Sequence, residues 1–410
     1  MLRRYISRPR YERMLDAHRG TNDIKVITGV RRCGKSSLMR NLVERMTREL
    51  GEGNVFYRRM DTFGVPLNPT AEWLQGELLA ALERADSARP VAVLLDEIQD
   101  IPDWEKVVRR LHALERVDVY LTGSNAHVLS SDLATLLGGR YVELHVMPLS
   151  FTEFEAFWNE AGMPETGVED LFAEYVRYGG MPAQFDLPER DEERMGSLLD
   201  GIHDTIVLND VAMHAGIGDM DLLAKLVRFV FSTSGSLFST RSVVNALASA
   251  GRRTTADTVD NYLRALEASY VLSGCAQAGL AGKQVLRPLR KFYPVDTGLR
   301  NLMTRFSPEN YGAQLECVAY NELVRRGYDV AVGALRAGEV DFVASCRVGK
   351  LYVQVSETIA DERTFERELR PLEALPDSFP KLVLTLDHSR TGTTETGVQV
   401  VNLIDWLREG

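Results

Sequence analysis

Over the first 150 residues, short apolar runs alternate with longer stretches of helical period. Ile24, Val26 and Ile27 open one such run, which yields at Gly29 to a helix-like pattern from Lys35 onward, so strand, loop and helix follow in that order. Further strands are predicted over 55–60, 91–95 and 117–122. Helices are predicted over 71–85 and 104–115 between them, and over 126–137 beyond. Strands alternating with helices at this spacing predict an α/β fold, a doubly wound sheet with parallel strands.

The pattern changes after Pro148. Helices are predicted over 151–158, 168–178 and 192–207, broken at Gly179-Gly180-Met181-Pro182, as a helical appendage or lid. Three more, over 221–232, 240–250 and 255–268, precede a β-rich stretch at 270–276. Three helices followed by a hairpin suggest a winged helix-turn-helix. The last hundred residues return to mixed α/β: a helix over 316–326, strands near Val330 and over 340–344 and 351–355, a helix over 361–374 and a strand over 381–386. The expected domains are thus a sheet core over 1–150, the lid over 151–218, the winged helix over 219–300 and a small α/β domain over 301–410. A chain of 410 residues is too long for one hydrophobic core.

Composition removes several function classes. At 45% hydrophobic and 26% charged, this is the make-up of a soluble globular protein. No apolar run approaches the length of a membrane span, so no membrane partner is expected. The basic N-terminus lacks the apolar region of a signal peptide, and a cytoplasmic protein is expected. Cys33, Cys275, Cys317 and Cys346 are scattered and imply neither metal nor disulfide. The net charge of −10 argues against non-specific polyanion binding by the whole molecule. Residues 221–300 nevertheless carry eleven Lys and Arg against five Asp and Glu, a basic module suited to a nucleic-acid surface.

The chemistry concentrates at three strand ends. Gly29-Val30-Arg31-Arg32-Cys33-Gly34-Lys35-Ser36 fits the P-loop pattern G-x-x-x-x-G-K-[ST], with Ser37 following, between an apolar strand and a helix. Glycines let successive N–H groups converge on phosphate oxygens, and the helix start adds its positive dipole. Lys35 would reach the β and γ phosphates of ATP, and the Ser36 hydroxyl would ligate magnesium. The run Val91-Ala92-Val93-Leu94-Leu95 ends in Asp96-Glu97, at the strand end where ligands bind in open α/β sheets. Asp96 would hold magnesium, and Glu97 would polarise the attacking water. Two adjacent carboxylates repel and have no structural need for one another. At Leu121-Thr122-Gly123-Ser124-Asn125, Ser124 is the candidate γ-phosphate sensor, with Asn125 second and a plain helix cap as the alternative. Arg140, after Gly138-Gly139, is a candidate arginine finger, in cis or from a neighbouring subunit; a surface salt bridge is the alternative.

These segments, with Tyr178-Gly179-Gly180-Met181-Pro182, Lys291-Phe292-Tyr293-Pro294-Val295-Asp296-Thr297-Gly298-Leu299 and Gly338-Glu339-Val340-Asp341-Phe342-Val343, resemble the prokaryotic AAA-type P-loop ATPases that carry a C-terminal domain of unknown function. The resemblance covers almost the whole chain. It implies an AAA+-like ATPase module, a winged helix and a terminal domain similar to restriction-endonuclease folds. It also implies a homo-oligomer, often a ring, in which Arg140 acts on the adjacent subunit's nucleotide.

In the winged helix, Arg252 and Arg253 would neutralise phosphates, and Thr254 and Thr255 suit backbone or base-edge contacts. Such modules also serve as protein contacts, and Asp257 and Asp260 on the same helix repel phosphate. In the terminal domain, Glu316, Asp341 and Gln354 take the places of a nuclease's metal-binding residues. Gln354 stands where a second acid is needed, and Ser356 where the water-activating lysine is needed. Glu339 or Glu357 are the residues that would compensate. A degenerate nuclease scaffold used for binding is therefore expected. The favoured reading is an ATP-hydrolysing oligomer that binds or remodels DNA. The alternatives are an ATP-dependent signalling or defence switch acting on a protein partner, and a metal-dependent nuclease.

Overall fold

The computed structural model describes residues 5–125, 139–213, 215–278, 289–307, 310–335 and 338–409. The chain divides into two compact units, Met1–Met147 with Ala268–Tyr270, and Pro148–Glu267 with Val271–Gly410.

In the first unit, β1 (Ile24–Thr28), β2 (Val55–Arg59), β3 (Val91–Asp96), β4 (Val117–Thr122) and β5 (Tyr141–His145) form one sheet in the order β2-β3-β4-β1-β5. Every pairing is parallel. All residues of β1 and β3 are buried, which explains why their apolar runs do not alternate. Among the described residues, four α-helices accompany the sheet: α1 (Pro9–Ala17), α2 (Lys35–Leu50), α3 (Ala71–Arg84) and α4 (Trp104–His112). Ile24 and Val26, Val91, Val93 and Leu95, and Val119 and Leu121 share one core with Leu74 and Leu78 of α3 and Trp104, Val108 and Leu111 of α4. The other side chains of β3, Ala92, Leu94 and Asp96, point to the opposite face, because strand side chains alternate. The strand order has a functional consequence. Since β4 lies between β1 and β3, the three strand ends carrying candidate chemistry are neighbours. The helix expected over 126–137, and Gly138, lie outside the described residues.

The second unit begins with α5 (Phe151–Glu160), started by a reciprocal capping box between Ser150 and Glu153. It continues with α6 (Val168–Tyr178) and α7 (Glu192–Thr205), which runs into a π-helical stretch, Ile206–Met213. Then come α8 (Met220–Ser232), α9 (Thr240–Ser249) and α10 (Ala256–Ala268), the three helices expected before a hairpin. The hairpin is β6 (Leu272–Ala278) with β7 (Arg290–Pro294), followed by α11 (Thr297–Thr304) and α12 (Tyr311–Arg325). The terminal elements are β8 (Asp329–Leu335), β9 (Gly338–Cys346), β10 (Gly349–Ser356), α13 (Glu362–Glu373), β11 (Lys381–Thr385), β12 (Gly392–Thr393), β13 (Gln399–Asn402) and α14 (Leu403–Arg408).

The strands form a single mixed sheet, β12-β13-β11-β10-β9-β8-β6-β7. Thus β6 pairs antiparallel with β7 and parallel with β8, and the hairpin expected as a wing is also the edge of the terminal sheet. Residues on both sides of position 300 share that sheet.

Two glycine-bearing motifs meet in this unit. Asp296 caps α11 through the Leu299 N–H (3.0 Å) and accepts the Gly180 N–H at 2.7 Å. Gly180 O in turn accepts the Leu149 N–H at 2.7 Å, and a Cβ on Gly180 would lie 2.4 Å from Leu149 O. The break between α6 and α7 is therefore a lock on α11, which packs against α6, α7 and α8.

Candidate nucleotide site and the carboxylate cluster of the terminal sheet

The loop of residues 29–37 leaves β1 and enters α2 through two left-handed glycines, Gly29 at φ 139° and Gly34 at φ 106°. A Cβ on Gly29 would lie 2.0 Å from Val146 O, so only glycine fits where the loop turns against the chain leaving β5. Arg32 is also left-handed, at φ 67°. Val30 and Cys33 are fully buried, whereas Arg32 and Ser37 are exposed and Arg31 half-buried. The Lys35 ammonium is buried and donates to Gly29 O (2.8 Å) and Val30 O (3.1 Å). The lysine thus lies along the loop whose N–H groups and helix start can hold phosphate.

One partner of this loop carries no sequence signature. Arg8, itself buried, donates to Cys33 O at 2.8 Å and to Met147 O at 2.9 Å. Tyr11 Oη accepts the Met147 N–H at 3.1 Å, and the Arg8 guanidinium stacks over its ring. The basic N-terminal segment is therefore a clamp on the back of the loop.

At the end of β3, Asp96 is fully buried and bound by three hydroxyls. Ser36 Oγ donates to its Oδ1 at 3.2 Å, Thr122 Oγ1 donates to the same oxygen, and Tyr57 Oη donates to Oδ2 at 3.0 Å. Burial pushes the Asp96 carboxyl above its usual range; the Thr122 bond opposes this and the neighbouring Glu97 charge adds to it. Burial beside Asp96 likewise raises the Tyr57 phenol.

Glu97 is 7% exposed and takes a left-handed backbone, φ 58° and ψ 49°, which costs a non-glycine residue about 1–2 kcal/mol. Its N–H donates to Thr122 Oγ1 at 2.9 Å, and its Oε2 accepts from Gln99 Nε2 at 2.6 Å. Thr122 therefore spans both carboxylate residues, accepting from the backbone of one and donating to the side chain of the other. Such backbone strain clusters at functional sites.

Ser36 and Asp96, the pair expected to hold magnesium, are in direct contact. Their oxygen donors suit a hard cation, and the residues present fit that ion. Ser124 and Asn125 are buried at the end of β4 beside this group. Arg140 is elsewhere. It precedes β5 and its carbonyl accepts the Ile24 N–H, so it is level with the start of β1, whereas the loop leaves β1 at its far end. Four residues of strand separate those ends, roughly 13 Å. Arg140 is exposed, with its backbone at the end of β1 away from the P-loop.

In the second unit, Arg252 is ion-paired with Asp221 and with Asp219, 2.6 Å from its Oδ2. The Thr255 hydroxyl accepts the Thr258 N–H at 3.1 Å and caps α10. Of the four candidate nucleic-acid contacts, these two already have partners within the module, leaving Arg253 and Thr254.

The candidate nuclease residues do converge. Asp341 Oδ2 accepts the Val355 N–H at 2.9 Å, its own N–H donates to Gln354 Oε1 at 3.2 Å, and Gln354 Nε2 donates to Glu368 at 2.8 Å. Glu316 is hydrogen-bonded by Tyr293 Oη at 2.5 Å and paired with the Lys291 ammonium at 3.0 Å. Burial raises the Asp341 carboxyl well above its usual range, and the Glu316 charge adds to this. Ser356, where a nuclease has its lysine, donates instead to Thr358 O. An ammonium nevertheless stands in the cluster: Lys291, on β7, was not a sequence candidate. Its signal is a lysine directly before the buried Phe292-Tyr293 of the strand, whose partner only the fold reveals.

Comparison with known proteins bears on both units. Residues 21–155 match the family model described as AAA domain, and residues 169–310 match Domain of unknown function (DUF8612). An uncharacterized protein of Haemophilus influenzae is 35% identical over 408 residues, 99% of this chain and 100% of that protein. One of Methanocaldococcus jannaschii is 26% identical over 362 residues, 86% and 78% of the two chains. Among solved structures, a Walker-type ATPase of Pyrococcus abyssi superposes with a TM-score of 0.52 at 15% identity, over 73% of this chain and 95% of that one.

Proposed function

Since this chain belongs to the AAA-type P-loop ATPases that carry a C-terminal domain of unknown function, we propose that it binds ATP at residues 29–37, hydrolyses it, and works as an oligomer on DNA. The observation that carries the hydrolytic reading is Thr122, which ties Glu97 to Asp96 at the strand ends beside the P-loop. The loop N–H groups and Lys35 bind the phosphates, and Ser36 and Asp96 hold the magnesium that accompanies them. That ion, when bound, neutralises phosphate charge. Glu97 accepts a hydrogen bond from water and orients its oxygen toward the γ-phosphorus. The new P–O bond forms as the bond to the β,γ-bridging oxygen breaks, releasing ADP and phosphate. Ser124 senses the γ-phosphate, and Arg140 of an adjacent subunit meets the developing charge.

The experiment pairs two variants. Lys35→Ala should lose nucleotide binding, whereas Glu97→Gln should bind ATP as wild type does and turn over at least a hundredfold more slowly. Wild-type turnover by Glu97→Gln would remove Glu97 from this role.

DNA is supported by the basic stretch at 221–300 and by the helix order there. Binding to duplex or branched DNA should weaken steeply with salt, and DNA should raise the ATPase rate. A protein partner is the second reading, favoured by the internal pairing of Arg252 with Asp219 and Asp221. An ATPase indifferent to every nucleic acid would select it.

A further inference from the structure

Lys291 leaves β7 with a side chain only 4% exposed, and its ammonium lies among three carboxylates. It is 3.0 Å from Glu316 Oε1, 2.6 Å from Glu339 Oε1 and 3.9 Å from Asp341 Oδ1. Glu316 comes from α12, while Glu339 and Asp341 are two residues apart on β9 and so share a face. The carboxylates are held from behind. Tyr293 Oη binds Glu316, whose other oxygen faces Gly235, where a Cβ would lie 2.9 Å away. The Val355 N–H binds Asp341.

A restriction-endonuclease layout implies magnesium here, and the residues do not fit it. A magnesium ion requires oxygens at about 2.0–2.1 Å in near-octahedral array. An ion that close to Glu316 Oε1 and Glu339 Oε1 would compete with the Lys291 ammonium, already 3.0 and 2.6 Å from those oxygens, and the ammonium charge would repel it. The ammonium, by contrast, is within hydrogen-bond distance of Glu316 and Glu339 and within ion-pair distance of Asp341. The amide of Gln354, in place of a second acid, donates to Glu368 and accepts from the Asp341 backbone, so it adds no charge for a divalent ion to neutralise.

We propose that Lys291 is the resident cation of the Glu316, Glu339 and Asp341 cluster, making the terminal sheet a metal-independent scaffold whose built-in ammonium replaces a nuclease's magnesium. Removing the lysine leaves the acidic groups facing one another and converts the cluster into a divalent-cation site. This holds whichever partner the ATPase serves.

The test titrates Mn2+ into nucleotide-free full-length protein, with binding followed by calorimetry. Wild type and Asp341→Asn should bind the same number of Mn2+ ions, because the cluster takes none. Lys291→Ala should bind one more per chain, an ion lost again in Lys291→Ala with Asp341→Asn, and Mn2+ should raise its melting temperature but not that of wild type. A Mn2+ site in wild type that disappears with Asp341→Asn would overturn the proposal, as would magnesium-dependent DNA nicking abolished by that substitution. Soluble Lys291→Ala that gains no Mn2+ counts equally against it. If Lys291→Ala does not fold, the wild-type and Asp341→Asn comparison decides the matter alone.

Discussion

The two carboxylates that follow β3 are held by a residue far away in the chain. Asp96 and Glu97 are adjacent in sequence, yet their geometry is set by Thr122, which donates to one and accepts from the other. Thr122→Val keeps the volume and removes both bonds. Its kcat should fall by about 10–100-fold, the usual cost of losing a group that orients a metal site, with ATP affinity much less affected. Thr122→Ser should restore the rate. Equal losses in kcat and affinity, or no rescue by serine, would make Thr122 a packing residue instead. Arg8 acts on the loop rather than on the reacting atoms, so Arg8→Ala should appear mainly in KM. Little change in KM would mean that the P-loop holds its shape without the clamp.

Among the elements, the second unit is organised by the junction between the α6–α7 break and the start of α11. Gly180→Ala inserts a Cβ 2.4 Å from a backbone oxygen that cannot retreat alone, so destabilisation of about 1–3 kcal/mol is expected by denaturant unfolding. Asp296, buried at the same junction, makes stability depend on pH in a defined direction. Burial raises its folded pKa to about 6, with the bonds from Gly180, Leu299 and Gly298 opposing. Between about pH 4 and 6 the folded chain therefore keeps a proton that the unfolded chain releases. Stability should rise as pH falls through that window, by about 1.4 kcal/mol per unit, and level off above 6. The difference in unfolding free energy between wild type and Asp296→Asn isolates this contribution. A difference that stays flat from pH 7 to 5 would contradict it.

For the whole molecule, the proposed finger role of Arg140 is where a second copy of the chain would enter. Arg140 stands beside the start of β1, a strand's length from its own P-loop. Arg140→Ala should bind ATP normally and lose roughly a thousandfold in hydrolysis. Mixed with Glu97→Gln, itself inactive, it should regain activity of up to about a quarter of the wild-type rate, the share of head-to-tail interfaces joining an intact Glu97 to an intact Arg140. No recovery in a mixture shown to exchange subunits would exclude a finger in trans.

The sequence by itself determined what depends on neighbouring residues. Gly29 and Gly34 mark left-handed turns because few other residues adopt them, and Lys35, Ser36, Asp96 and Glu97 follow their strands at fixed spacing, so the phosphate loop and the acidic pair were legible. The parallel α/β core was legible for the same reason, since the periods of its strands and helices are local. Only the tertiary structure decided which hydroxyls bind Asp96, which end of the sheet carries Arg140, and which cation stands among Glu316, Glu339 and Asp341. Those pairings depend on strand order and register. Placing β4 between β1 and β3 brings Thr122 to Asp96, and extending the terminal sheet through β6 to β7 brings in Lys291. Many strand orders are compatible with one hydrophobic pattern, and burial of the whole core selects among them.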